Sequence, residues 1–240
     1  MRLDVAFTPR ELPPPAVLVD QTVVVIDVLR ATSTMVEALA NDARGITAVA
    51  TTEEAVRIAQ NIGRDGALLT GERKCVRIEG FDLGNSPLEF TAERVAGRQL
   101  IMTTTNGTAA LAAVTASRRV LIASLLNVDA VARELAVDDE SITLVCAGRE
   151  GRFALEDAIC AGTLALRLYR RLGRRRNWSD AALAAAQLAR RYLPSVERTL
   201  RRTAAGRQLM ELGLGADVTY CAQLDHYDVV PKVRDRQVVL

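Results

Sequence analysis

The sequence is poor in histidine, and this excludes several kinds of enzyme. His226 is the only histidine in the 240 residues. Phosphatases that form a phosphohistidine, zinc enzymes with several imidazole ligands and Ser-His-Asp hydrolases all need histidine in particular contexts. If the protein binds a metal, oxygen atoms must therefore hold it, which favours Mg²⁺ or Mn²⁺ over zinc.

Cysteine and long apolar runs are also scarce. The four cysteines, Cys75, Cys146, Cys160 and Cys221, form no C-x-x-C pair. This pattern indicates buried thiols in a reducing compartment rather than disulfides or a structural zinc site. No apolar run reaches about 18 residues, and Asp4 interrupts the region where a signal peptide would be apolar. We therefore expect a cytoplasmic protein that has no membrane partner.

Acidic residues are scarce in one region where arginine is concentrated. Between Arg167 and Arg207 lie twelve arginines, against only Asp180 and Glu197. Such a basic region suggests nucleic-acid binding, but no nucleic-acid-binding motif accompanies it. The net charge of the whole chain is only +2. We therefore expect a solvated helix face and no nucleic-acid partner.

What the chain does contain is an alternation of β-branched runs and helical patterns. Residues 22–28 form a nearly continuous apolar run, as expected for a strand that is buried on both faces. The same criteria predict strands at 22–28, 45–50, 67–70, 99–103, 120–124 and 142–146, and helices from Met35 onward and at 52–60, 109–115, 127–135, 156–172, 180–192 and 196–202. The alternation predicts an α/β fold with a mostly parallel sheet, helices on both faces and a helical C-terminal third.

Two stretches of the chain resemble copies of one βα unit. Asp27 corresponds to Thr103 and Thr32 to Thr108, both with an offset of 76 residues. The sequence identity between the two stretches is low, and any two βα units share a similar pattern of apolar residues. Coincidence is therefore an alternative to duplication. We favour duplication. We expect residues 1–240 to form a single α/β domain, or else two intimately packed lobes, about 1–97 and 98–240.

The first candidate functional loop follows strand 22–28. Asp27 lies at the strand end, and Arg30, Thr32, Ser33 and Thr34 lie where the next helix should begin. Unpaired backbone N–H groups at a helix N-terminus suit a phosphate, and hydroxyl and guanidinium groups would complete its shell. Alternatively, one hydroxyl only caps the helix and Asp27 only accepts a turn hydrogen bond. In the functional interpretation, Asp27 would ligate Mg²⁺ or act as a nucleophile.

A second polar loop follows strand 99–103. Thr105, Asn106, Gly107 and Thr108 offer hydroxyls, an amide and close backbone approach to an anion, although such residues also make an ordinary turn. The carboxyl ends of parallel strands meet at one edge of a sheet, so the two loops should lie together. Segments 71–73 and 80–87 should add further polar groups to this edge, which could equally stabilise turns: Glu72, Arg73, Asp82, Asn85 and Ser86.

Cys146 and Arg152 offer a different nucleophile. Their spacing fits the C-x₅-R pattern of cysteine phosphatases, in which a thiolate attacks phosphorus and the arginine binds the phosphate oxygens. However, Glu150 would repel both the thiolate and the phosphate, and no Ser or Thr follows Arg152 to assist the leaving thiolate. A cysteine-nucleophile phosphatase is therefore an alternative interpretation.

Six segments of the chain together resemble the ordered motifs of one family. They are I-D-V-L-R-A-T-S-T (26–34), G-E-R (71–73), G-F-D-L-G-N-S-P (80–87), T-T-N-G-T (104–108), C-A-G (146–148) and E-D (156–157). These segments are similar to motifs of the ComB family, the 2-phosphosulfolactate phosphatases. The resemblance implies an α/β protein that hydrolyses (R)-2-phospho-3-sulfolactate to 3-sulfolactate and phosphate, depends on Mg²⁺ and serves coenzyme M biosynthesis.

The resemblance and the residue chemistry suggest one site assignment. Asp27, with Glu72 or Asp157, would hold Mg²⁺, while the loops at 32–34 and 106–108 would bind phosphate or sulfonate oxygens. Arg30 and Arg73 would neutralise the substrate, since its carboxylate, sulfonate and phosphate groups repel one another. Attack on phosphorus would come from Asp27 or from metal-activated water, and either the metal or a carboxylic acid such as Glu72 or Asp82 would assist departure of the alkoxide.

Two alternatives to this assignment stay open. One moves the nucleophile to Cys146, and the other is a non-catalytic binding protein for an anionic metabolite. In each case we expect the partner to be a small anionic compound. A homodimer is a default expectation for a soluble enzyme rather than an inference from these residues.

Overall fold

The computed structural model describes residues 2–63, 66–137, 141–173 and 177–240. The strands in these ranges are β1 (Arg2–Ala6), β2 (Thr22–Ile26), β3 (Gly45–Ala48), β4 (Ala67–Arg73), β5 (Val76–Arg77), β6 (Gln99–Thr103), β7 (Arg119–Ala123), β8 (Ile142–Cys146), β9 (Asn177–Trp178), β10 (Lys232–Arg234) and β11 (Gln237–Val239). The α-helices are α1 (Pro15–Leu18), α2 (Ala31–Ala40), α3 (Thr52–Ile62), α4 (Ala92–Val95), α5 (Gly107–Ala113), α6 (Val128–Leu135), α7 (Leu155–Leu172), α8 (Asp180–Tyr192), α9 (Val196–Leu200), α10 (Ala204–Glu211) and α11 (Gly215–Cys221). The predicted α/β class, with its helical C-terminal third, is confirmed.

All of these strands belong to one mixed sheet. Their order across the sheet is β5-β4-β6-β3-β11-β10-β7-β2-β8-β1-β9. The pairs β4–β6, β6–β3, β7–β2, β2–β8, β8–β1 and β1–β9 are parallel. Antiparallel pairs are confined to β5 and to the β10–β11 hairpin with its neighbours. The prediction of a mostly parallel sheet is therefore confirmed.

Strand β2 shows how both faces of the sheet are covered. Val24 and Ile26 pack in one apolar core, together with residues of α6, α7 and α8, whereas Val23 and Val25 pack in a second core with residues of α2. Successive side chains of a strand point to opposite faces, so the two cores lie on opposite sides of the sheet. This explains why the run at 22–26 is apolar at nearly every position.

Helix α3 carries the local signals that begin and end a helix. The Thr51 hydroxyl accepts a hydrogen bond from the backbone N–H of Glu54 at 3.2 Å, which satisfies one of the free donors of the first turn. The helix ends at Gly63, whose φ of 92° is disfavoured for residues with a Cβ atom. The predicted helix at 52–60 is thus present and slightly longer.

The start of α2 corrects one predicted boundary. The sequence predicts a polar loop before a helix at Met35, but α2 begins at Ala31. The Asp27 side chain accepts a hydrogen bond from the N–H of Ala31 at 3.3 Å, and the Asp27 carbonyl oxygen accepts one from the N–H of Thr32 at 3.0 Å. Asp27 therefore caps the helix earlier than the hydrophobic pattern suggests.

Five strands were missing from the predictions: β1, β5, β9, β10 and β11. β5 and β9 have only two residues each. β1 has the alternating burial of an inner strand, with Leu3 and Val5 buried and Arg2 exposed, but its residues were considered only as a possible leader. β10 and β11 are three residues each, which is too short for a periodic pattern.

Among the helices of the described ranges, none combines the length and hydrophobicity that crossing a bilayer requires.

The two proposed βα copies occupy equivalent places in the sheet. β2 pairs with β7 and β6 pairs with β3, so each copy's first strand lies beside the other copy's second strand. The loops are similar but differ by one residue: the Thr32 hydroxyl donates to the carbonyl oxygen of Asp27, five residues earlier, at 2.9 Å, and the Thr108 hydroxyl donates to that of Thr104, four residues earlier, at 2.9 Å. These contacts support duplication. Strands from residues 1–97 and 98–240 are interspersed in the sheet, and the choice between one domain and two lobes stays a prediction.

Candidate active site

The two matching loops border one cavity at the carboxyl ends of β2, β4, β6 and β8. Its volume is about 140 Å³, and α10 contributes Ala205 and Gln208 to its wall. Asp27 and Asn106, which come from the two loops, both line it. The residues predicted for the site that line this cavity are Asp27, Arg30, Glu72, Asn85, Thr105, Asn106 and Asp157.

Asp27 is a buried carboxylic acid in a cluster of like charges. The residue is 6% exposed. Burial, together with the charges of Glu72 and Glu156, raises the pKa of Asp27 from 3.8 to about 7, although the Ala31 N–H and Arg30 act in the opposite direction. Within the described residues, its Oδ2 atom has no hydrogen-bond partner. A carboxyl group that changes charge near neutral pH and has a free oxygen is typical of a nucleophile, a base or a metal ligand.

Glu72 joins two of the loops around the cavity. Its Oε1 atom accepts a hydrogen bond from the backbone N–H of Thr105 at 2.7 Å, and its Oε2 atom accepts one from the N–H of Cys75 at 2.7 Å. The Thr105 N–H, predicted to face an anion of the substrate, is therefore already bound to a carboxylate. Glu72 fixes the second polar loop against the end of β4.

Asp157 joins the loops that follow β2 and β8. Its Oδ1 atom accepts a hydrogen bond from the N–H of Val28 at 2.8 Å, and its Oδ2 atom accepts one from the N–H of Gly148 at 3.1 Å. Burial and the charges of Asp27 and Glu156 raise the pKa of Asp157 well above its usual range. Glu156 also lines the cavity, and burial raises its pKa as well.

Arg30 is held by the C-terminal helices. Its Nη1 atom donates to Asp217 Oδ2 at 2.5 Å, and its Nη2 atom donates to the carbonyl oxygen of Cys75 at 2.9 Å. Both side chains of the ion pair are 3% exposed. The hydroxyl of Ser86 donates to the other oxygen of Asp217 at 2.6 Å. Asp217 therefore balances the charge of Arg30 and orients Ser86.

The three hydroxyl residues of the first loop lie outside the cavity lining. Thr32, Ser33 and Thr34 are buried in α2. Their hydroxyls each donate to a backbone carbonyl oxygen, at 2.9 Å to Asp27, 2.8 Å to Val28 and 2.9 Å to Asn85. These bonds tie α2 to the loops that carry Asp27 and Asn85, and a direct contact of the hydroxyls with substrate stays a prediction.

The remaining predicted residues do not line the cavity. Arg73 is exposed and donates to the carbonyl oxygen of Glu72 and to Thr103 Oγ1. Gly107 packs closely against the first loop, because a Cβ atom there would lie 2.4 Å from Ala31 Cβ and 2.9 Å from Asp27 Oδ2. Thr108 bonds to Thr104 within its own loop. Asp82 is exposed and accepts the N–H of Leu69.

Arg149, Gln208 and Asp217 are among the residues at the site that were not predicted. Arg149 and Gln208 line the cavity, and Asp217 holds Arg30. Arg149 follows the C-A-G segment directly, and this position was the only signal for it. Gln208 and Asp217 lie in α10 and α11, far along the chain from any motif, so only the folded structure places them here.

The oxygen atoms around the cavity suit a hard cation. Asn85 Oδ1 is buried without a hydrogen-bond partner, and it shares the cavity with the free Oδ2 of Asp27. No three Asp, Glu, His or Cys side chains of the described ranges converge as a metal cluster. Mg²⁺ does not require such a cluster, because it commonly uses one or two carboxylates and retains several waters. The donor set therefore fits Mg²⁺, with Asp27 as its best-placed carboxylate.

Cys146 is placed badly for a nucleophile. Its side chain is fully buried in the apolar core and does not line the cavity. Burial and the charge of Asp157 raise the pKa of the Cys146 thiol well above its usual range, so the reactive thiolate is disfavoured. Arg152 is exposed and outside the cavity lining. The geometry contradicts the cysteine alternative.

The variant Cys146→Ala is therefore expected to keep full phosphatase activity, within about twofold. Loss of a buried sulfur should lower the free energy of unfolding by roughly 1 kcal/mol. Phosphate release and urea unfolding measure the two effects. A loss of turnover of 100-fold or more in a folded Cys146→Ala protein would restore the cysteine mechanism.

The fold and the cavity define an α/β enzyme whose site combines buried carboxylates with arginines at the carboxyl edge of the sheet. The chain matches the family model for 2-phosphosulpholactate phosphatase over residues 6–236. The chain therefore belongs to the 2-phosphosulfolactate phosphatase family, a family of phosphoric monoester hydrolases.

Curated relatives agree with this assignment. Proteins named probable 2-phosphosulfolactate phosphatase include one from Symbiobacterium thermophilum, 42% identical over 229 residues, which cover 95% of this chain and 98% of that protein. One from Caldanaerobacter subterraneus subsp. tengcongensis is 40% identical over 220 residues, 91% of this chain and 90% of that protein. One from Gloeobacter violaceus is 41% identical over 233 residues, 97% of this chain and 95% of that protein. The similarity thus extends over nearly the whole length of each protein.

Proposed function

We propose that this protein hydrolyses 2-phosphosulfolactate, or a similarly small acidic phosphomonoester, to the alcohol and inorganic phosphate, with Mg²⁺ as its cofactor. Membership of the family and the names of the relatives support the reaction. One observation supports the same reaction for this chain. Asp27, with a pKa raised to about 7 and a free carboxylate oxygen, lies in a cavity that both polar loops share. A cytoplasmic location and a homodimer belong to the same proposal.

Asp27 faces the phosphoryl group in this proposal. Its Oδ2 atom either attacks phosphorus in line with the departing oxygen, forming an acyl phosphate that water then hydrolyses to phosphate and the free carboxylate, or orients a water that attacks phosphorus directly. When bound, Mg²⁺ would offset negative charge on the phosphoryl oxygens. Its proposed protein ligands are Asp27, with Glu72 or Asp157, and Asn85 Oδ1 as a further oxygen.

The surrounding carboxylates keep Asp27 in place. Glu72 and Asp157 hold the backbone of the adjacent loops through two N–H bonds each, so the cavity wall is fixed before substrate binds. Glu156 lines the same cavity and holds a proton more readily than an exposed carboxyl group, because burial raises its pKa. A protonated Glu156 carboxyl group supplies the proton that the departing alkoxide needs, because both oxygens of Glu72 already accept backbone N–H bonds.

Phosphate release tests the proposal. The purified protein with 2-phosphosulfolactate and Mg²⁺ should release phosphate, and EDTA should lower the rate at least about 100-fold until Mg²⁺ is added back. Release that persists unchanged in EDTA would contradict the Mg²⁺ requirement. A melting temperature that rises with 3-sulfolactate, without phosphate release under any condition, would instead identify a non-catalytic binding protein.

A further inference from the structure

Arg149 differs from the other arginines near the cavity because part of its guanidinium group has no partner. Arg30 is already paired with Asp217, and Arg73 is exposed and bonded elsewhere. Arg149 donates from Nη2 to Gln208 Oε1 at 2.6 Å, whereas its Nη1 atom is buried without any hydrogen-bond partner. A buried unpaired donor of a charged group is costly, so a ligand with acceptor oxygens is its natural complement.

The partners of Arg149 form one wall of the cavity. We call Lys74, Cys75, Arg149 and Gln208 the Arg149 wall; all four line the cavity. Gln208 connects them, because its Oε1 atom accepts from Arg149 and lies 3.5 Å from Cys75 Sγ, while its Nε2 atom donates to the carbonyl oxygen of Lys74 at 3.4 Å. Gln208 therefore holds one edge of the guanidinium at the cavity wall, while Nη1 keeps no protein partner.

The Arg149 wall adjoins the acidic group around Asp27. The Cys75 N–H donates to Glu72 Oε2 at 2.7 Å, and the charge of Arg149 acts on Glu156. Glu150, the next residue in the chain, also lines the cavity. Within the described residues, Arg149 forms no ion pair with a carboxylate. Of the two arginines in the cavity lining, Arg149 is therefore the one that keeps a donor for an anion, because Arg30 is paired with Asp217.

We infer that Arg149 binds a non-reacting anionic group of the substrate, its carboxylate or its sulfonate. Gln208 is the positioning residue for the Arg149 guanidinium. This inference rests on the proposed function and specifies its substrate class: small phosphomonoesters with a second acidic group. A guanidinium suits the oxygens of a carboxylate or sulfonate better than an ammonium does, because its donors lie in one plane at fixed angles. Arg149 therefore lets the enzyme discriminate such substrates from phosphate esters that lack a second acidic group.

Steady-state kinetics on two substrates test the inference. For Arg149→Ala, kcat/KM on 2-phosphosulfolactate should fall about 10- to 100-fold, mainly through KM, because a charge-assisted hydrogen bond is lost. On propan-2-yl phosphate, which keeps the three-carbon frame without either acid, the change should stay within about twofold. Arg149→Lys should recover part of the loss, and Gln208→Leu should lower kcat/KM in the same selective way but less. Arg152→Ala, an exposed arginine of the same loop, is the matched control and should change neither substrate.

The possible outcomes separate this inference from the proposed function. An equal fall on both substrates, or no fall on either, would overturn the role of Arg149. If the wild-type protein releases phosphate from neither substrate, the proposed function fails, and calorimetric binding of 3-sulfolactate then decides the inference. Arg149→Ala should weaken that binding at least 10-fold relative to Arg152→Ala, and equal affinities would overturn it.

Discussion

Asp27→Asn is expected to lower phosphate release at least about 10³-fold while the protein stays folded. An amide has the shape of the carboxyl group and still accepts the Ala31 N–H bond that begins α2. It lacks the charge that a nucleophile or a Mg²⁺ ligand needs, so binding and chemistry are lost without loss of the helix cap. Single-turnover phosphate release, with circular dichroism as the folding control, measures the effect.

The same substitution should stabilise the metal-free fold in a pH-dependent way. The pKa of Asp27 is raised from 3.8 to about 7 by burial, so the folded state disfavours the ionised form. Stability is therefore lost as pH rises from the unfolded value of 3.8 towards 7, and the loss is complete above 7. Asn cannot ionise, so its advantage over Asp should be near zero at pH 4 and reach roughly 2–4 kcal/mol at pH 8.

Asp20→Asn provides the matched control, because Asp20 is exposed and distant from the cavity lining. It should change neither turnover nor the dependence of urea unfolding on pH. If Asp27→Asn keeps wild-type turnover in a folded protein, the assignment of the site is wrong even though the family is right. If the unfolding free energy of Asp27→Asn follows that of the wild type from pH 4 to pH 8, the pKa of Asp27 is not raised by burial.

The fold could be predicted well where strands are long and buried on both faces. The run at 22–28 needed no long-range information, because an apolar β-branched segment of that length fits only the centre of a parallel sheet. The two copies of the βα unit were visible as a constant offset, and their loops do share one cavity. In contrast, β10 and β11 are short and depend on pairing with β7 and β3, so no local pattern marks them.

The candidate site was predictable only where a residue ends a strand. Asp27 and Asn106 follow from the rule that polar residues at the carboxyl ends of parallel strands lie together. Which polar groups face the cavity did not follow, because hydrogen-bond partners decide it. Ser33 and Thr34 direct their hydroxyls to backbone carbonyl oxygens, whereas Arg149, which no spacing rule selects, lines the cavity and has an unpaired donor in its guanidinium.

Asp217→Ala is expected to lower the free energy of unfolding by about 3–5 kcal/mol. The substitution leaves the Arg30 guanidinium, which is 3% exposed with its partner, as an uncompensated buried charge, and it removes the acceptor of the Ser86 hydroxyl. Urea unfolding measures the loss. Arg2→Ala, which breaks an exposed ion pair with Asp4, is the comparison and should cost less than about 1 kcal/mol.

The double variant Arg30→Met with Asp217→Leu shows whether the loss of stability comes from an isolated buried charge or from changing the side chain at position 217. Removing both charges leaves no isolated ion, so its loss of stability should be clearly smaller than that of Asp217→Ala. If Asp217→Ala costs no more than Arg2→Ala, the buried pair does not hold α11 to the site. A large loss that the double variant relieves would mean that the Arg30–Asp217 ion pair fixes α11 to the loop after β2.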